Sequence, residues 1–496
     1  MSVWEQTTKF ITKYRNRETQ NADLVLVVVL IGVTFDLINV TATISSIANI
    51  RDHFNTTDSV ASWALSSYAV TFSGLIAFCG RIGDIVGHDT LFICSSLLFS
   101  LFSLLCAVVD NLNGLIAFRA LQGVAAAALV PTGYAIVSSS FPEHKMGSRF
   151  SILAAGFSVS FGVGYIVGGA LDITSVGYKG IYYLSCGVMF LNAIASFFLI
   201  KKLPRTGERI ENLDAVGSLL LITATALIVV GFTEAGDNWN SPRAYVPLPV
   251  GVVLYVVFFF WSTHFLDMAR TNIHAFREVI PLIPKSMLTS FVPVVMNFCN
   301  FANYASLFGM ITLVSQFYQY AENNTALISA LRLIPNVITM TCVTLLLAIK
   351  HDILSQNKAM MLGYSLMVAS LAMICVWDRT VDNFFWRWVV PLQIISSAGS
   401  SFFFPHCLNV LIGAAEPEVK GLASGVLQTF GQLGVSVCFA VVTSVLGNGE
   451  KTDHKFRITG YVLVSLGALG WLGCLGVVIW SKKTKIQSEE EVVAEK

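Results

Sequence analysis

The sequence predicts an all-α, polytopic membrane protein with fourteen transmembrane helices. Three observations predict it. The 496 residues are 55% hydrophobic and only 12% charged, with a mean hydropathy of +0.69. A soluble domain carries about 25% charged residues, so this chain cannot cover a soluble surface. Fourteen stretches reach the length and apolarity that a bilayer-crossing helix needs. The loops between them are charged asymmetrically, as the positive-inside rule requires. Together these exclude a cytosolic enzyme, a disordered chain and a disulfide-rich secreted domain. The net charge of +1 supplies no basic field, so no nucleic-acid partner is expected.

Segment 1–23 carries Lys9, Lys13, Arg15 and Arg17 with no cleavage signature after them. It reads as a cytosolic tail with an amphipathic stretch. The expected spans follow at 24–50, 59–80, 90–109, 113–138, 149–171, 180–200, 214–236, 245–266, 290–318, 325–349, 359–377, 387–413, 420–446 and 458–480. Spans 1, 9 and 12 are long enough to tilt or to extend past the interface. The charged segment 481–496 reads as a disordered cytosolic tail. With an even span count both termini share one side. If that side is the cytosol, 21 of the 31 Lys and Arg lie inside, 8 lie outside, and Arg119 and Arg332 lie within spans. Two N-x-[ST] sequons, at Asn55 and Asn323, fall in outside loops and are candidate glycosylation sites. The ten cysteines show no CxxC and no zinc spacing. Free thiols and no metal are expected.

The chain echoes itself at an offset of about 275 residues. Pro142-Glu143-His144-Lys145-Met146-Gly147 precedes span 5, and Pro417-Glu418-Val419-Lys420-Gly421 precedes span 13. Pro131 aligns with Pro405, and Arg119 with Gln393. Repeated halves with binding between them are a common transporter plan. The expected organisation is a six-helix bundle at 24–200, a linker with an inserted two-helix hairpin at 201–289, and a second six-helix bundle at 290–480.

The residues that link these spans resemble the major facilitator superfamily, and most closely its fourteen-span drug:proton antiporter type of fungi and bacteria. The loop Gly80-Arg81-Ile82-Gly83-Asp84-Ile85-Val86-Gly87-His88-Asp89 is similar to the superfamily motif G-x-L-[GA]-D-[RK]-x-G-R-[RK]. Gly80, Asp84 and Gly87 are in place, and His88 and Asp89 replace the usual basic pair. The resemblance implies a gating role for this loop. Leu115-Ile116-Ala117-Phe118-Arg119-Ala120-Leu121-Gln122-Gly123 resembles the span-4 motif with a buried Arg. Thr34-Phe35-Asp36-Leu37-Ile38-Asn39-Val40 resembles the span-1 motif that carries an Asp. The run from Gly156 to Gly169 is similar to the span-5 antiporter motif, with Tyr165 where proline is usual. Leu213-Asp214-Ala215-Val216-Gly217 opens span 7 as in fourteen-span members. Among fungal members the wording is similar to aminotriazole/boron-resistance exporters and low-affinity ammonium transporters. The resemblance implies a major facilitator fold and transport of a small solute.

An ionisable group inside a span is expensive and therefore a functional candidate. Asp36 lies about halfway along span 1, a depth suited to taking up and releasing a proton. A permanent pair that only fixes helix packing is the alternative. Arg119 is the expected partner, and the resemblance implies a part for it in proton coupling. Asn297, Asn300 and Tyr304, at helical spacing on span 9, form one polar face. Asn39, Gln393 and His406 join them as cavity or substrate candidates. Interhelical hydrogen bonding is the competing reading for each. The Gly-rich runs of span 5 lack a following Lys and read as close helix packing, not a phosphate loop. No ATP-binding motif is present, so an ion or solute gradient must supply the energy and no cofactor is expected.

The leading expectation is a monomeric, proton-coupled exporter of small toxic or polar compounds in the plasma membrane, with the vacuolar membrane as second choice. A facilitator or importer of a small nutrient such as ammonium is the alternative, and a transport-dead sensor is a third. An enzyme would need a nucleophile–base set or metal ligands, and the sequence offers neither.

Overall fold

The computed structural model describes residues 21–494 apart from 204, 206–211, 237, 351–353, 415–419 and 448–451. Residues 1–20 of the expected tail 1–23, and Pro417, Glu418 and Val419 ahead of span 13, lie outside it. Among the described residues, fourteen helices are long and apolar enough to cross a membrane. They are Ala22–Ser45, Asp58–Val86, His88–Val108, Leu112–Ser140, Ala155–Asp172, Lys179–Leu199 and Ala215–Ala235, then Pro242–Asn272, Phe291–Ala321, Ala326–Leu347, Gln356–Val376, Phe385–Ala414, Gly425–Leu446 and Asp453–Lys483. They correspond one for one to the fourteen expected spans and are numbered accordingly. The only pairing of strand type among the described residues is an isolated bridge between Leu213 and Ile280.

Local chemistry explains where the helices depart from expectation. Span 1 stops at Ser45, and a separate helix, Ile47–His53, follows. Span 2 opens with one turn, Asp58–Ala61, capped by the Thr57 hydroxyl on the Val60 N–H, before the long helix Trp63–Val86. Span 10 repeats this design. Thr325 caps the turn Ala326–Leu331 at Ile328 N–H, and the helix restarts at Ile334. Pro335 suits that restart: it stands in the first turn of the new helix, where its missing N–H costs no bond. The tail is corrected. The last helix continues to Ala494, because Lys, Gln and Glu are good helix formers and carry span 14 onward.

Spans 1–6 pack chiefly among themselves, as do spans 9–14. The two groups meet where span 2 lies against span 13 and span 5 against span 10. Span 5 touches both groups through glycine. A Cβ on Gly168 would stand 2.6 Å from Cα of Ala42 in span 1, and one on Gly169 would stand 2.7 Å from Cα of Leu327 in span 10. This is the close packing that small residues permit between membrane helices. Span 7 packs on spans 2 and 13 and also holds span 8. Span 8 exposes Val252, Val253, Val256 and Phe260, an apolar face suited to lipid.

Polar bonds between the two groups gather on the face opposite the termini. Tyr320 OH, at the end of span 9, donates to Asp58 Oδ1 at 2.6 Å. Arg51 Nη1 reaches the same oxygen at 3.2 Å, and its guanidinium lies 5.2 Å from the Tyr320 ring centre. Gln319 Nε2 donates to the Ser45 carbonyl at 3.2 Å. Ser73 and Ser436 hydroxyls meet deeper in, at 3.1 Å.

Candidate transport site

Asp36 is buried, 4% exposed, and lines a cavity between the two groups of helices. Tyr68, Phe72, Val130 and Phe157 form its wall on one side, and Phe308, Gln428, Gln432 and Phe439 on the other. The space open to the centre of a water-sized sphere is about 30 Å³, room for about two waters. Asp36 Oδ1 is buried with no hydrogen-bond partner. No Lys, Arg or His is among the lining residues. The arrangement offers a carboxyl, two amides and aromatic faces to whatever enters.

Arg119 is fully buried in span 4. Its Nε donates to the Ala64 carbonyl at 2.7 Å. Its Nη1 donates to Asn39 Oδ1 at 2.5 Å and to Gln122 Oε1 at 2.6 Å. The guanidinium carbon sits 4.3 Å from the Tyr68 ring centre and 5.7 Å from that of Tyr182, both cation–π geometries. Nη2 has no partner. The expected contact with Asp36 is not made: Arg119 bonds neutral acceptors and acts on Asp36 only through space. Asn39, one turn on from Asp36, takes the guanidinium instead and donates to Ser185 Oγ at 3.0 Å, while Asp36 lines the cavity.

The other expected residues divide. Tyr304 OH donates to Gln428 Oε1 at 3.0 Å, which joins span 9 to the cavity wall. Asn300 Nδ2 donates to the Leu427 carbonyl at 2.8 Å, and Asn297 is buried with neither amide atom bonded. Gln393 Nε2 donates to the Arg332 carbonyl at 2.8 Å, and its Oε1 accepts from Asn336 N–H at 3.1 Å. His406 Nδ1 lies 2.8 Å from the Phe402 carbonyl of its own helix. Asn39, Asn297, Asn300, Gln393 and His406 do not line this cavity. The guanidinium of Arg332, within span 10, lies 4.3 Å from the Phe385 ring centre and 5.4 Å from that of Tyr318.

In the loop between spans 2 and 3, Asp84 Oδ1 meets His88 Nε2 at 3.1 Å, and Oδ2 lies 3.9 Å from Arg81. His88 therefore occupies a place where the resemblance leads one to expect a basic residue. Gly87 has φ +102°, a conformation that favours glycine. Asp89 is fully buried and accepts from Leu203 N–H at 3.3 Å, which ties this loop to the end of span 6. Gly80 lies in ordinary contact with Pro131, 3.6 Å from a notional Cβ. Asn55 and Asn323 are exposed and share positive φ, 48° and 51°.

Sequence reasoning missed Gln428 and Gln432 of span 13, and Tyr68 and Phe72 of span 2. A signal was present: each pair is four residues apart, on one helix face.

A cavity between two six-helix groups, with a buried carboxyl on its wall, defines a membrane carrier. Comparison with known proteins names the class. The sequence pattern of the Major Facilitator Superfamily matches residues 29–438 and 293–494, and the chain belongs to that superfamily. It is 25% identical over 427 residues to a methylenomycin A resistance protein of Streptomyces coelicolor, covering 85% of each chain. It is 24% identical over 438 residues to a low affinity ammonium transporter of Saccharomyces cerevisiae, covering 85% of this chain and 81% of that one. The solved structure of the human organic anion transporter MFSD10 superposes with a TM-score of 0.61 at 14% identity, covering 92% of this chain and all of that one (100%). A peptide transporter, POT, gives 0.61 at 13% identity, covering 90% and 93%. The protein is a multi-pass membrane transporter of small molecules.

Proposed function

We propose that the protein exports small toxic or polar compounds in exchange for protons, by alternating access of the bundles 24–200 and 290–480 about the central cavity. The observation that carries this reading is the Asp36 carboxyl, unbonded at Oδ1, on a cavity wall shared by both groups of helices. A carboxyl so placed meets solute and proton at one position, and exchange follows when each displaces the other. Arg119 holds the positive charge behind that wall, and the loop Gly80, Asp84 and Gly87 serves as the gate on the termini side. Gln428 and Gln432 orient the solute. The methylenomycin A resistance protein among the relatives supports export. Charge bias supports cytosolic termini, and the plasma membrane is the proposed location. Asn55 and Asn323 are then available for glycosylation. The protein is proposed to act as a monomer and not as an enzyme.

The second reading, entry or facilitated passage of a small nutrient such as ammonium, is favoured by the ammonium transporter relative. One experiment separates the two. Purified protein in liposomes with an internal pH dye receives ammonium, borate, aminotriazole or puromycin, with and without an imposed pH gradient. Exchange predicts solute-dependent proton movement that Asp36→Asn abolishes. Solute movement without protons, unchanged in Asp36→Asn, overturns it. Ammonium needs a tracer control, since ammonia crossing lipid shifts pH by itself.

A further inference from the structure

Asn300 and Tyr304, one turn apart on span 9, both reach across to span 13. Asn300 Nδ2 donates to the Leu427 carbonyl at 2.8 Å. Tyr304 OH donates to the side chain of the next residue, Gln428 Oε1, at 3.0 Å. Gly431 makes room for the pair: a Cβ there would stand 2.8 Å from Asn300 Nδ2 and 3.2 Å from the Tyr304 ring. The Tyr304 ring also stacks on Phe308, with centres 6.0 Å apart and planes 19° apart. Packing thus fixes where the hydroxyl sits.

This bond decides which end of the Gln428 amide meets the cavity. Gln428 lines the cavity and Tyr304 does not. The Tyr304 hydroxyl has no other hydrogen-bond partner among the described residues. Its proton therefore goes to Gln428, where only the amide oxygen can accept it. The amide nitrogen carries two N–H donors and has no partner among the described residues, so it is left to the cavity. Gln432, one turn on, makes no side-chain hydrogen bond among the described residues and can turn either end inward. On the first half's side of the cavity, Asp36 Oδ1 is buried and unbonded. An ionised carboxyl only accepts, and the lining holds no Lys, Arg or His to balance its charge. The rings of Tyr68, Phe72 and Phe308 complete the wall, and aromatic faces favour a cation. The cavity therefore pairs an anionic acceptor on span 1 with a neutral donor on span 13.

We propose that the solute is a short organic ammonium that carries a hydrogen-bond acceptor, such as an ether or carbonyl oxygen, at its far end. Tyr304 is the positioning residue that sets this preference, by holding the Gln428 amide in one orientation. The ammonium bonds Asp36 and the acceptor takes a Gln428 N–H, so that one molecule ties the first half to the second. Ammonium itself, with no acceptor, engages one side only. The inference deepens the proposed exchange and rests on its placing of the solute at Asp36.

Two amines of equal length test it: 2-methoxyethylamine and butylamine, which differ by an ether oxygen in place of a methylene. Binding is measured by calorimetry at fixed pH on the full chain in nanodiscs. Wild type should prefer the ether by about tenfold, the worth of one hydrogen bond. Tyr304→Phe keeps the ring but lets the amide turn, and the preference should fall to about twofold. Gln428→Glu, which has no N–H, should erase it. Asp36→Asn should weaken both amines alike. Equal binding of the two amines by wild type would overturn the solute class. A tenfold preference that survives in Tyr304→Phe would overturn the positioning role. If Tyr304→Phe fails to fold, Gly431→Ala, which crowds the Tyr304 ring, carries the same comparison. No arm reads proton movement. Solute movement without protons therefore sinks the exchange reading and leaves this comparison standing, while lost discrimination with coupling intact sinks only the solute class.

Discussion

The two halves of the molecule make the same hydrogen bond with different chemistry. In the first half, Arg119 of span 4 donates to the Ala64 carbonyl of span 2 at 2.7 Å. In the second, Gln393 of span 12 donates to the Arg332 carbonyl of span 10 at 2.8 Å. Both bonds lie just beyond a Thr-capped first turn, and both spans 4 and 12 carry an internal proline further on. The scaffold is repeated, but only the half that holds Asp36 buries a guanidinium at this place. A neutral amide suffices to hold the helices in the second half, so the buried charge in the first is what the proposed coupling would use. That is the lesson of the pair, and exchanging the two chemistries tests it.

The largest effect is expected from Arg119→Gln, which gives the first half the chemistry of the second. The bond to Ala64 can persist while the charge is lost. Transport should fall by about 100-fold, near 3 kcal/mol, with the protein still folded by thermal melting. Gln393→Ala should act oppositely. It orphans two buried backbone groups, at about 1–3 kcal/mol each, so the melting temperature should drop while transport per folded molecule stays near wild type. A transport-dead but stable Gln393→Ala protein would break the comparison.

Tyr320→Phe sharpens it at the contact between halves. Removing the 2.6 Å bond to Asp58 should weaken closure by about 1 kcal/mol. Labelling of Ser45→Cys by an impermeant thiol reagent from that face should rise about fivefold. The smallest effect is expected in the loops. Hydrogen bonding and the Lys179 charge lower the Asp110 carboxyl below its usual range, and Thr380 hydrogen bonds do so for Asp378. A lowered carboxyl stabilises above its unfolded value and loses that contribution as pH falls through its folded one. Thermal stability should therefore decline on acidification below about pH 4, and Asp110→Asn should flatten part of that decline.

The fourteen spans were legible because bilayer thickness imposes one length on every crossing helix. The repeat was legible in Pro131 and Pro405, since an internal proline punctuates a helix wherever it stands. What stayed hidden was direction around each helix. Asp36 and Asn39 share a span and a polar character, yet one faces the cavity and the other binds Arg119. Apolar surface surrounds a membrane span on all sides, so hydropathy gives no moment from which to read its inner face. Gln428 and Gln432 were overlooked although they stand four residues apart on one face of span 13. The continuation of span 14 to Ala494 escaped notice because charge was weighed above helix propensity.

The contact made by Arg51, Asp58 and Tyr320 has a consequence for how the carrier responds to its medium. The Arg51 and Asp58 side chains are 28% and 13% exposed, so dissolved ions reach them. Salt weakens a partly exposed pair, and each 1.4 kcal/mol withdrawn from a two-state balance multiplies the minor population about tenfold. In the proposed alternating cycle, the resting bias of the carrier would then depend in part on the ionic strength of the solution bathing that face. If that face is the outer one, as proposed, a cell moving from dilute to saline surroundings would find its carriers opening toward them more often, with no change in the protein or its solute.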